Sequence, residues 1–268
     1  MTKQENNLFY TEVPDGTTLY SRFRKTIHKD VDRRYIHSHY EIDKDIPKRY
    51  SKHYHTDNLT TLEVGRKLKR KLLRQFPIQE GDTVVEVGAY QGFGSLKLSK
   101  LVGEHGSVIS IEADPLNFEL LQKNLEVNKI KNVIPLNLGV YSKPGFMKLY
   151  SRGESQGQKN TGNTLNPKCF EPEKHITVQV ETIDNILVYN CIKKVDYIIL
   201  EINLGEYDAI VGMESTIMKN ETMRIVSAGW YEDDGVLACK RIEDHLKPRG
   251  FKVYTGIKNR VYAIKGMI

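Results

Sequence analysis

The sequence predicts an α/β fold in which a doubly wound, mainly parallel β-sheet ends in a C-terminal antiparallel hairpin and follows an N-terminal extension. The first observation behind this prediction is a series of short runs, mostly apolar and rich in β-branched residues, as buried parallel strands are. The second is that amphipathic helical patterns separate these runs. The third is a pair of strand-like runs within residues 251–265 that a short turn joins. The predicted parallel strands are residues 83–87, 107–112, 132–137, 195–202 and 223–228.

One helix between these strands has a well-marked beginning. Phe118, Leu121 and Leu125 recur at helical spacing and would form its apolar face. Asp114 is a suitable N-cap, and Pro115 suits the first helical position because an N–H group there has no hydrogen-bond partner within the helix. We therefore predict that a helix begins directly after the second parallel strand.

The positive charge of the chain is concentrated at its N-terminal end. Residues 1–75 hold 17 Lys and Arg against 10 Asp and Glu, whereas the rest of the chain holds 23 against 24. We divide the chain into a basic, Tyr- and His-rich extension or lid, residues 1–57, and a larger α/β domain, residues 58–268. The domain would begin with a helix over residues 61–76. Residues 151–174 are crowded with Gly, Asn, Ser and Pro and predict a long loop, which is usually functional or mobile.

The composition is that of an ordinary globular protein. The 268 residues carry a net charge of +6, with 39% hydrophobic and 28% charged residues. No apolar run approaches the ~20 residues that a bilayer span needs, and the N-terminus has no signal-peptide core. We therefore expect a cytoplasmic protein without a membrane span. The three cysteines are widely spaced and odd in number, so they indicate neither a disulfide framework nor a zinc site.

A glycine-rich turn within residues 84–98 is the main candidate binding site. A strand that carries Glu86 leads into the turn, which contains Gly88 and Gly92, and a helix follows. Gly88 can let the backbone leave the strand with a positive φ, and Gly92 can let a ligand approach without a Cβ in the way. Ligands of open α/β sheets bind outside the carboxyl ends of the strands, which is where this turn would lie.

The next strand ends at Glu112, and this residue indicates which class of ligand binds. A carboxylate at this place can accept hydrogen bonds from both hydroxyls of a ribose. The dinucleotide pattern G-x-G-x-x-G is not met, because Tyr90 stands two residues after Gly88, and no Walker loop is present. Glu86 would repel a pyrophosphate but would suit a ligand with a positive amino group. The pattern therefore favours S-adenosylmethionine over NAD.

Seven sequence pieces, taken in order, resemble the FkbM-type methyltransferases, a branch of the class I S-adenosylmethionine-dependent enzymes. They span about Gly81 to Lys265 and include GDTVVEVGAYQGFGS, IEADPLNFELLQKNL and VDYIILEINLGEYDAIVGM. The resemblance implies a Rossmann-like methyltransferase domain with S-adenosylmethionine as its cofactor. In that domain Asn137 would lie near the adenine, although it could equally cap the turn after its strand. The cofactor-binding residues that the resemblance implies are Glu86, Gly88, Ala89, Tyr90, Gly92, Glu112, Ala113 and Asn137.

The chain departs from this family after the fourth strand. The family usually has a run of the form D-x-E-G-A-E there, and this chain has Glu201, Asn203, Leu204 and Glu206 at the matching places of EINLGE. Asn203 cannot serve as a general base because an amide does not titrate usefully. We take Glu201, Asn203 and Glu206 as candidate catalytic residues, with either glutamate as the base for a hydroxyl acceptor. The three could alternatively bind a divalent cation, although we assign no metal site, and Glu206 could simply begin the next helix.

Several functions remain open at this point. The first is O-methylation of a hydroxyl on a sugar, a glycan or another small molecule. An RNA methyltransferase is the main variant, because residues 33–40 (RRYIHSHY) and 48–55 (KRYSKHYH) interleave aromatic and basic residues as single-strand nucleic-acid surfaces do. A cover packed on one face of the sheet would explain the same segment. An NAD-linked oxidoreductase and a cofactor-binding protein without catalytic activity are the other classes.

Overall fold

The computed structural model describes residues 3–6, 8–13, 15–22, 77–151, 163–166, 174–256 and 259–266, which form fifteen β-strands and six α-helices. The strands are β1 (Lys3–Glu5), β2 (Leu8–Glu12), β3 (Thr18–Ser21), β4 (Thr83–Val87), β5 (Ser107–Ile111), β6 (Val133–Leu136), β7 (Gly139–Val140), β8 (Gly145–Ser151), β9 (Lys174–Glu181), β10 (Tyr197–Leu200), β11 (Met223–Ser227), β12 (Glu232–Asp233), β13 (Val236–Leu237), β14 (Phe251–Thr255) and β15 (Val261–Lys265). The helices are α1 (Phe93–Val102), α2 (Pro115–Val127), α3 (Ile183–Tyr189), α4 (Glu206–Val211), α5 (Glu214–Lys219) and α6 (Ala238–Leu246).

Seven strands form the central sheet in the order β14-β15-β11-β10-β4-β5-β6. The five strands from β11 to β6 run parallel, and β14 and β15 form an antiparallel hairpin at one edge. Each parallel strand lies within two residues of its predicted bounds. The predicted doubly wound, mainly parallel sheet with a C-terminal hairpin is therefore confirmed.

The parallel strands are apolar on both faces because each face is covered. Successive side chains of a strand point to opposite faces, so neighbouring residues enter different cores. Val84 packs in the core under α1 and α2, together with Leu96 and Leu121. Val85 packs in the core on the other face, together with Ile242 of α6. This two-sided burial is the reason why these strands are continuous apolar runs rather than alternating ones.

Helix α2 begins where the sequence predicts. Asp114 is its N-cap, and its Oδ1 accepts hydrogen bonds from the backbone N–H groups of Leu116 (2.8 Å) and Asn117 (3.2 Å). Pro115 occupies the first helical position. The cap matters for function because it places the start of α2 directly beside Glu112, at the carboxyl end of β5.

The described part of the N-terminal extension is a three-stranded antiparallel sheet, β1-β2-β3, that packs on α2. Asparagine side chains of α2 pair with the outer edge of β3. Asn124 accepts from the N–H of Tyr20 (2.7 Å) and donates to its carbonyl oxygen (3.1 Å), and Asn128 does the same for Thr18 (2.8 and 2.7 Å). No strand was predicted from the sequence in this segment. The segments with residues 33–40 and 48–55, and the helix predicted over 61–76, lie outside the described residues.

A second small sheet, in the order β7-β9-β8, adjoins the central sheet. Its strands were not predicted from the sequence. β8 and β9 flank the long loop and pair only with each other over most of their length. Of the predicted loop, residues 163–166 are described, and Thr164 pairs with Tyr150 of β8 through two backbone hydrogen bonds (2.9 and 3.0 Å). Among the described helices, none combines the length and the apolar character that crossing a membrane requires.

Candidate active site

A cleft of about 290 Å³ opens at the carboxyl ends of β4, β5 and β10. This is the place where parallel α/β sheets bind their ligands, because the strand order changes direction there. The cleft contains residues from every predicted part of the site and also from the loop at 163–166 and the segments after β11 and before β15. Its lining includes Gly88, Tyr90, Glu112, Ala113, Asn163, Thr164, Glu201, Asn203, Gly205, Trp230, Tyr231 and Arg260.

The turn between β4 and α1 has three residues with positive φ: Gly88 (89°), Tyr90 (53°) and Gly92 (83°). A Cβ at Gly88 would lie 2.4 Å from the carbonyl oxygen of Glu201, so the missing side chain lets the turn pack against the end of β10. A Cβ at Gly92 would lie 2.5 Å from Cδ1 of Leu121. The close neighbour of Gly92 is therefore α2, whereas the sequence analysis had expected a ligand there.

Glu112 is held rigidly at the edge of the cleft and is 8% exposed. Its Oε2 accepts from the N–H of Tyr90 (2.7 Å) and its Oε1 accepts from the N–H of Asp114 (2.9 Å). Burial raises the pKa of Glu112 to about 7, although these two backbone N–H groups favour the charged form. Each carboxylate oxygen can accept a further hydrogen bond, so the two oxygens can accept from the two hydroxyls of a ribose.

Four of the predicted cofactor residues lie outside the cleft lining, and Gly92, whose neighbour is α2, is one of them. The carboxylate of Glu86 is 2% exposed and accepts hydrogen bonds from the hydroxyls of Ser95 (2.6 Å) and Ser110 (3.0 Å). Ala89 packs in the core beneath α1 and α2. The exposed side chain of Asn137 donates to the carbonyl oxygen of Glu112 (2.8 Å), as a strand-end cap does. Any role of these residues toward a cofactor would therefore be to support the turn and the position of Glu112.

The opposite side of the cleft contains a charged pair and an aromatic ring. Glu201, at the end of β10, forms an ion pair with the guanidinium of Arg260, with 2.6 Å between Oε1 and Nη2, and the Arg260 side chain is 11% exposed. The guanidinium also lies 5.6 Å from the centre of the Trp230 ring. Tyr231 follows directly, its ring centre 5.9 Å from that of Trp230. We call Glu201, Asn203, Trp230, Tyr231 and Arg260 the acceptor wall.

Asn203 lies in a strained turn between β10 and α4. Asn203 and Leu204 both have positive φ, 53° and 78°. Asparagine tolerates this left-handed conformation better than most residues, whereas leucine does not. The family run has glycine where this chain has Leu204, so the turn must be held by other contacts.

Glu206 supplies one of those contacts. It is 1% exposed, and its Oε1 accepts from the N–H of Ile202 (3.2 Å), so the carboxyl closes the turn from beneath rather than lining the cleft. Burial raises the pKa of Glu206 to about 7, although backbone N–H groups of the turn, including that of Leu204, oppose the shift. Glu201, Asn203 and Glu206 are thus neighbours in space. Glu201 and Asn203 line the cleft, whereas Glu206 does not.

The burial of Glu206 predicts a pH-dependent stability that glutamine would remove. A carboxyl whose folded pKa lies above its unfolded value contributes stability that is present below pH 4.5 and is lost as the pH rises through about 7. The difference in unfolding free energy, Glu206→Gln minus wild type, should therefore increase between pH 5 and pH 8, by about 2–3 kcal/mol at 1.36 kcal/mol per pKa unit. Denaturant unfolding at both pH values measures it. The exposed carboxylate Glu221, changed to glutamine, is the control, and an equal difference at both pH values would contradict the assignment.

Several cleft residues were missed by the sequence analysis. Trp230 is the single tryptophan of the chain and follows the predicted strand at 223–228, so a strand-end rule could have found it. Tyr231 follows it and could have been found in the same way. Arg260 and Asn163 lie in a hairpin turn and in the long loop, and no local pattern marks either of them. Among the described residues, no group of three or more His, Cys, Asp or Glu could hold a metal ion.

Comparisons with known proteins agree with this geometry. The family described as "Methyltransferase FkbM domain" matches residues 86–253, more than half of the chain. The protein-L-isoaspartate(D-aspartate) O-methyltransferase family matches residues 31–139. A sequence search of curated proteins found no match.

Solved structures with a similar chain path are only distantly related. A SAM-dependent methyltransferase from Aquifex aeolicus is 19% identical, with a TM-score of 0.42 over 83% of this chain and 100% of that chain. Fibrillarin from Aeropyrum pernix, in complex with natively bound S-adenosyl-L-methionine, is 10% identical, with a TM-score of 0.44 over 99% of this chain and 97% of that chain. The assignment rests on the family match, together with the cleft. The chain belongs to the FkbM methyltransferase family and is an S-adenosylmethionine-dependent methyltransferase.

Proposed function

We propose that the enzyme transfers a methyl group to a hydroxyl of a sugar, a glycan or another small molecule. The observation that carries this proposal is the acceptor wall, in which an aromatic ring lies beside hydrogen-bonding side chains within a small cleft. Trp230 offers a flat apolar face, and Asn203 and Tyr231 offer polar groups beside it. A hydroxyl-bearing ring needs this combination, because it has an apolar face and polar edges.

The other side of the cleft would hold the cofactor. We assign the ribose to Glu112 and the methionine end to the turn at Gly88 and Tyr90, with Ala113 beside the ribose carboxylate. Glu86, Ala89, Gly92 and Asn137 would act indirectly, by shaping the turn and the end of β5. The fit is supported by the rigid carboxylate of Glu112 and by the close approach of the backbone at Gly88.

The charge of the cleft supports an acceptor without phosphates. The charged side chains among its described lining residues are Glu112, Glu201 and Arg260, and Arg260 is already paired with Glu201. With both carboxylates ionised, a polyanion would therefore meet a net charge of −1, that of Glu112, because Glu201 and Arg260 neutralise each other. A neutral hydroxylated molecule meets no such repulsion.

The chain's contribution to the reaction would be alignment and proton removal. The cofactor supplies a methyl group that its sulfonium activates. Orientation of the acceptor by the wall can supply ~7–11 kcal/mol of the barrier. We assign Glu201 as the group that accepts the hydroxyl proton, since it lines the cleft beside the wall, and Arg260 as the partner that orients its carboxylate. Asn203 and Glu206 would shape the turn that carries this wall.

A methyl-transfer screen tests the proposal. Purified protein and S-adenosylmethionine with a labelled methyl group are incubated with sugars, glycans and small hydroxylated molecules. For any acceptor found, Trp230→Ala should lower kcat/KM by about tenfold or more, because a stacked aromatic contact contributes roughly 0.5–1.5 kcal/mol beyond its buried area. Tyr189→Ala, at an aromatic residue that is 69% exposed, is the control. Equal activity of Trp230→Ala and wild type would remove the wall from the acceptor site.

RNA is the second candidate acceptor, and the basic N-terminal quarter favours it. Deleting residues 1–57 would be a poor test, because Val13 and Leu19 are buried in the core beneath α1 and α2. Replacing the basic residues within 33–40 and 48–55 by neutral ones is the better test, because these changes leave the residues of the β1–β3 sheet in place. We propose residues 1–57 as an N-terminal extension or lid, of which the described strands pack on α2, and residues 58–268 as the catalytic domain. RNA methylation that falls steeply with salt and with these substitutions would replace the hydroxyl proposal.

A further inference from the structure

Asn203 connects three parts of the cleft through its side chain. Its Nδ2 donates to the carbonyl oxygen of Asn163 (3.0 Å), and its Oδ1 accepts from the hydroxyl of Tyr231 (2.8 Å). Its own carbonyl oxygen accepts from the hydroxyl of Thr164. One residue therefore contacts both the loop at 163–166 and the aromatic side of the acceptor wall.

These contacts continue to the cofactor side. The Nδ2 of Asn163 donates to Oδ2 of Asp114 (2.6 Å), and the N–H of Asp114 donates to Oε1 of Glu112 (2.9 Å). A series of hydrogen bonds thus runs along the rim of the cleft from Glu112 through Asp114, Asn163 and Asn203 to Tyr231. It joins the ribose carboxylate to the acceptor wall through side chains that lie on four separate segments of the chain.

An amide is the group that these contacts require at position 203. A carboxylate accepts hydrogen bonds but cannot donate, so it would face the carbonyl oxygen of Asn163 with a negative charge. A glutamate would also be strained at a φ of 53°, which asparagine tolerates. The departure of this chain from the acidic run of its family therefore has a structural reason in the chain's own loop.

We infer that Asn203 is a positioning residue that docks the loop at 163–166 over the cofactor cleft and orients Tyr231 in the acceptor wall. Its amide links the two halves of the active site, and the link to the cofactor half does not depend on the identity of the acceptor. The role assigned to Tyr231 rests on the proposed function, whereas the docking of the loop does not.

Asn203→Asp tests the inference because it changes only the donor. The new carboxyl still accepts from Tyr231, but it can donate to the carbonyl oxygen of Asn163 only when it is protonated. At pH 8 we expect S-adenosylhomocysteine to bind the variant about tenfold more weakly than it binds wild type. This is the size expected when a carbonyl oxygen, here that of Asn163, loses its hydrogen-bond donor. Because protonation of the new carboxyl restores the donor, the ratio of variant to wild-type Kd should fall as the pH is lowered toward the pKa of that carboxyl. The titratable groups around position 203 are Asp114, Glu201, Glu206, Tyr231 and Arg260, and the ratio at each pH removes the part of their titration, and of that of Glu112, that both proteins share.

Hydrogen exchange gives a second readout that needs no cofactor. The N–H of Thr164 donates to the carbonyl oxygen of Tyr150 (3.0 Å) while the loop is docked. In Asn203→Asp it should exchange about tenfold faster than in wild type at pH 8, and this difference should shrink as the new carboxyl becomes protonated. If S-adenosylhomocysteine fails to bind even to wild type, the cofactor assignment fails. The exchange experiment then still tests whether Asn203 docks the loop at 163–166.

Asn190→Asp is the matched control. The Nδ2 of Asn190 likewise donates to a backbone carbonyl oxygen, that of Ile186 (2.8 Å), at the end of α3 and away from the cleft. It should alter neither the binding of S-adenosylhomocysteine nor the exchange of Thr164. Wild-type affinity and exchange in a folded Asn203→Asp protein at pH 8, a loss that persists after the new carboxyl is protonated, or an equal loss in the control would each overturn the inference.

Discussion

Glu112→Gln should weaken the binding of S-adenosylmethionine and its demethylated product by about a hundredfold or more. Hydrogen bonds to a charged acceptor contribute roughly 1.5–3 kcal/mol each, and two ribose hydroxyls would lose their charged partner. Glutamine is a better choice than alanine, because its carbonyl oxygen can still accept from one of the two backbone N–H groups, those of Tyr90 and Asp114, that donate to this side chain. Alanine would leave both without an acceptor and would disturb the turn as well as the ligand. Calorimetric titration measures the effect.

The same carboxyl predicts how binding depends on pH. Burial raises the pKa of Glu112 to about 7, so below this pH the group is protonated and accepts fewer hydrogen bonds. Affinity in the wild type should therefore increase between pH 6 and pH 8, and binding near pH 7 should release protons. Glu126→Gln, on the exposed face of α2, should preserve both the affinity and its pH dependence. Unchanged affinity in a folded Glu112→Gln protein would contradict the cofactor assignment.

Arg224→Met should destabilise the fold by about 3–5 kcal/mol, the usual loss when one partner of a buried ion pair is removed. The Nη2 of Arg224 lies 2.7 Å from Oδ2 of Asp82, and the two side chains are 7% and 9% exposed. The guanidinium also donates to the carbonyl oxygen of Pro77 and lies 5.1 Å from the centre of the Tyr197 ring. Methionine would fill the space but leave the carboxylate of Asp82 buried without its counter-ion. Denaturant unfolding measures the loss.

An exposed ion pair provides the control for this prediction. Lys240 and Asp244 form a pair on α6 whose side chains are both 60% exposed. Lys240→Met should leave the unfolding free energy nearly unchanged, since solvent screens such pairs. A similar small change for Arg224→Met would mean that the base of the sheet tolerates an unpaired Asp82. Because the pair lies at the end of the sheet opposite the cleft, we expect the folded variant to bind cofactor normally.

The elements that the sequence predicted well are those whose signal is local. The strand from Thr83 to Val87 is mostly apolar because helices cover both faces of the sheet. Burial on both faces requires a run of consecutive apolar residues, which can be recognised in the sequence. The start of α2 is written in Asp114 and Pro115, whose preferences depend only on the next turn of backbone. Glu112 was found because a fixed distance along the chain separates it from the glycine turn.

The β1–β3 sheet was missed because its partner is distant in sequence. Tyr20 pairs with Asn124, 104 residues away, and α2 supplies both the apolar surface and the hydrogen bonds that an isolated short sheet lacks. The conformation of Gly92 follows from its local sequence, whereas its neighbour, Leu121, follows from how α1 and α2 pack. Glu86 is a similar case: the sequence places it on the correct strand, but Ser95 and Ser110 decide that its carboxylate lies beneath the turn.

The sequence by itself determined the α/β class, the order of the parallel strands along the chain and the carboxylate at the end of β5, because each depends on neighbouring residues. Only the tertiary structure decided which residues form the acceptor wall and which contacts Asn203 makes there. Arg260 and Asn163 reach the cleft from a hairpin turn and a loop, far from Glu201 and Asn203 along the chain. Their contacts depend on how the sheet, α2 and the loop pack together, and such long-range packing leaves no periodic trace in the residues that take part.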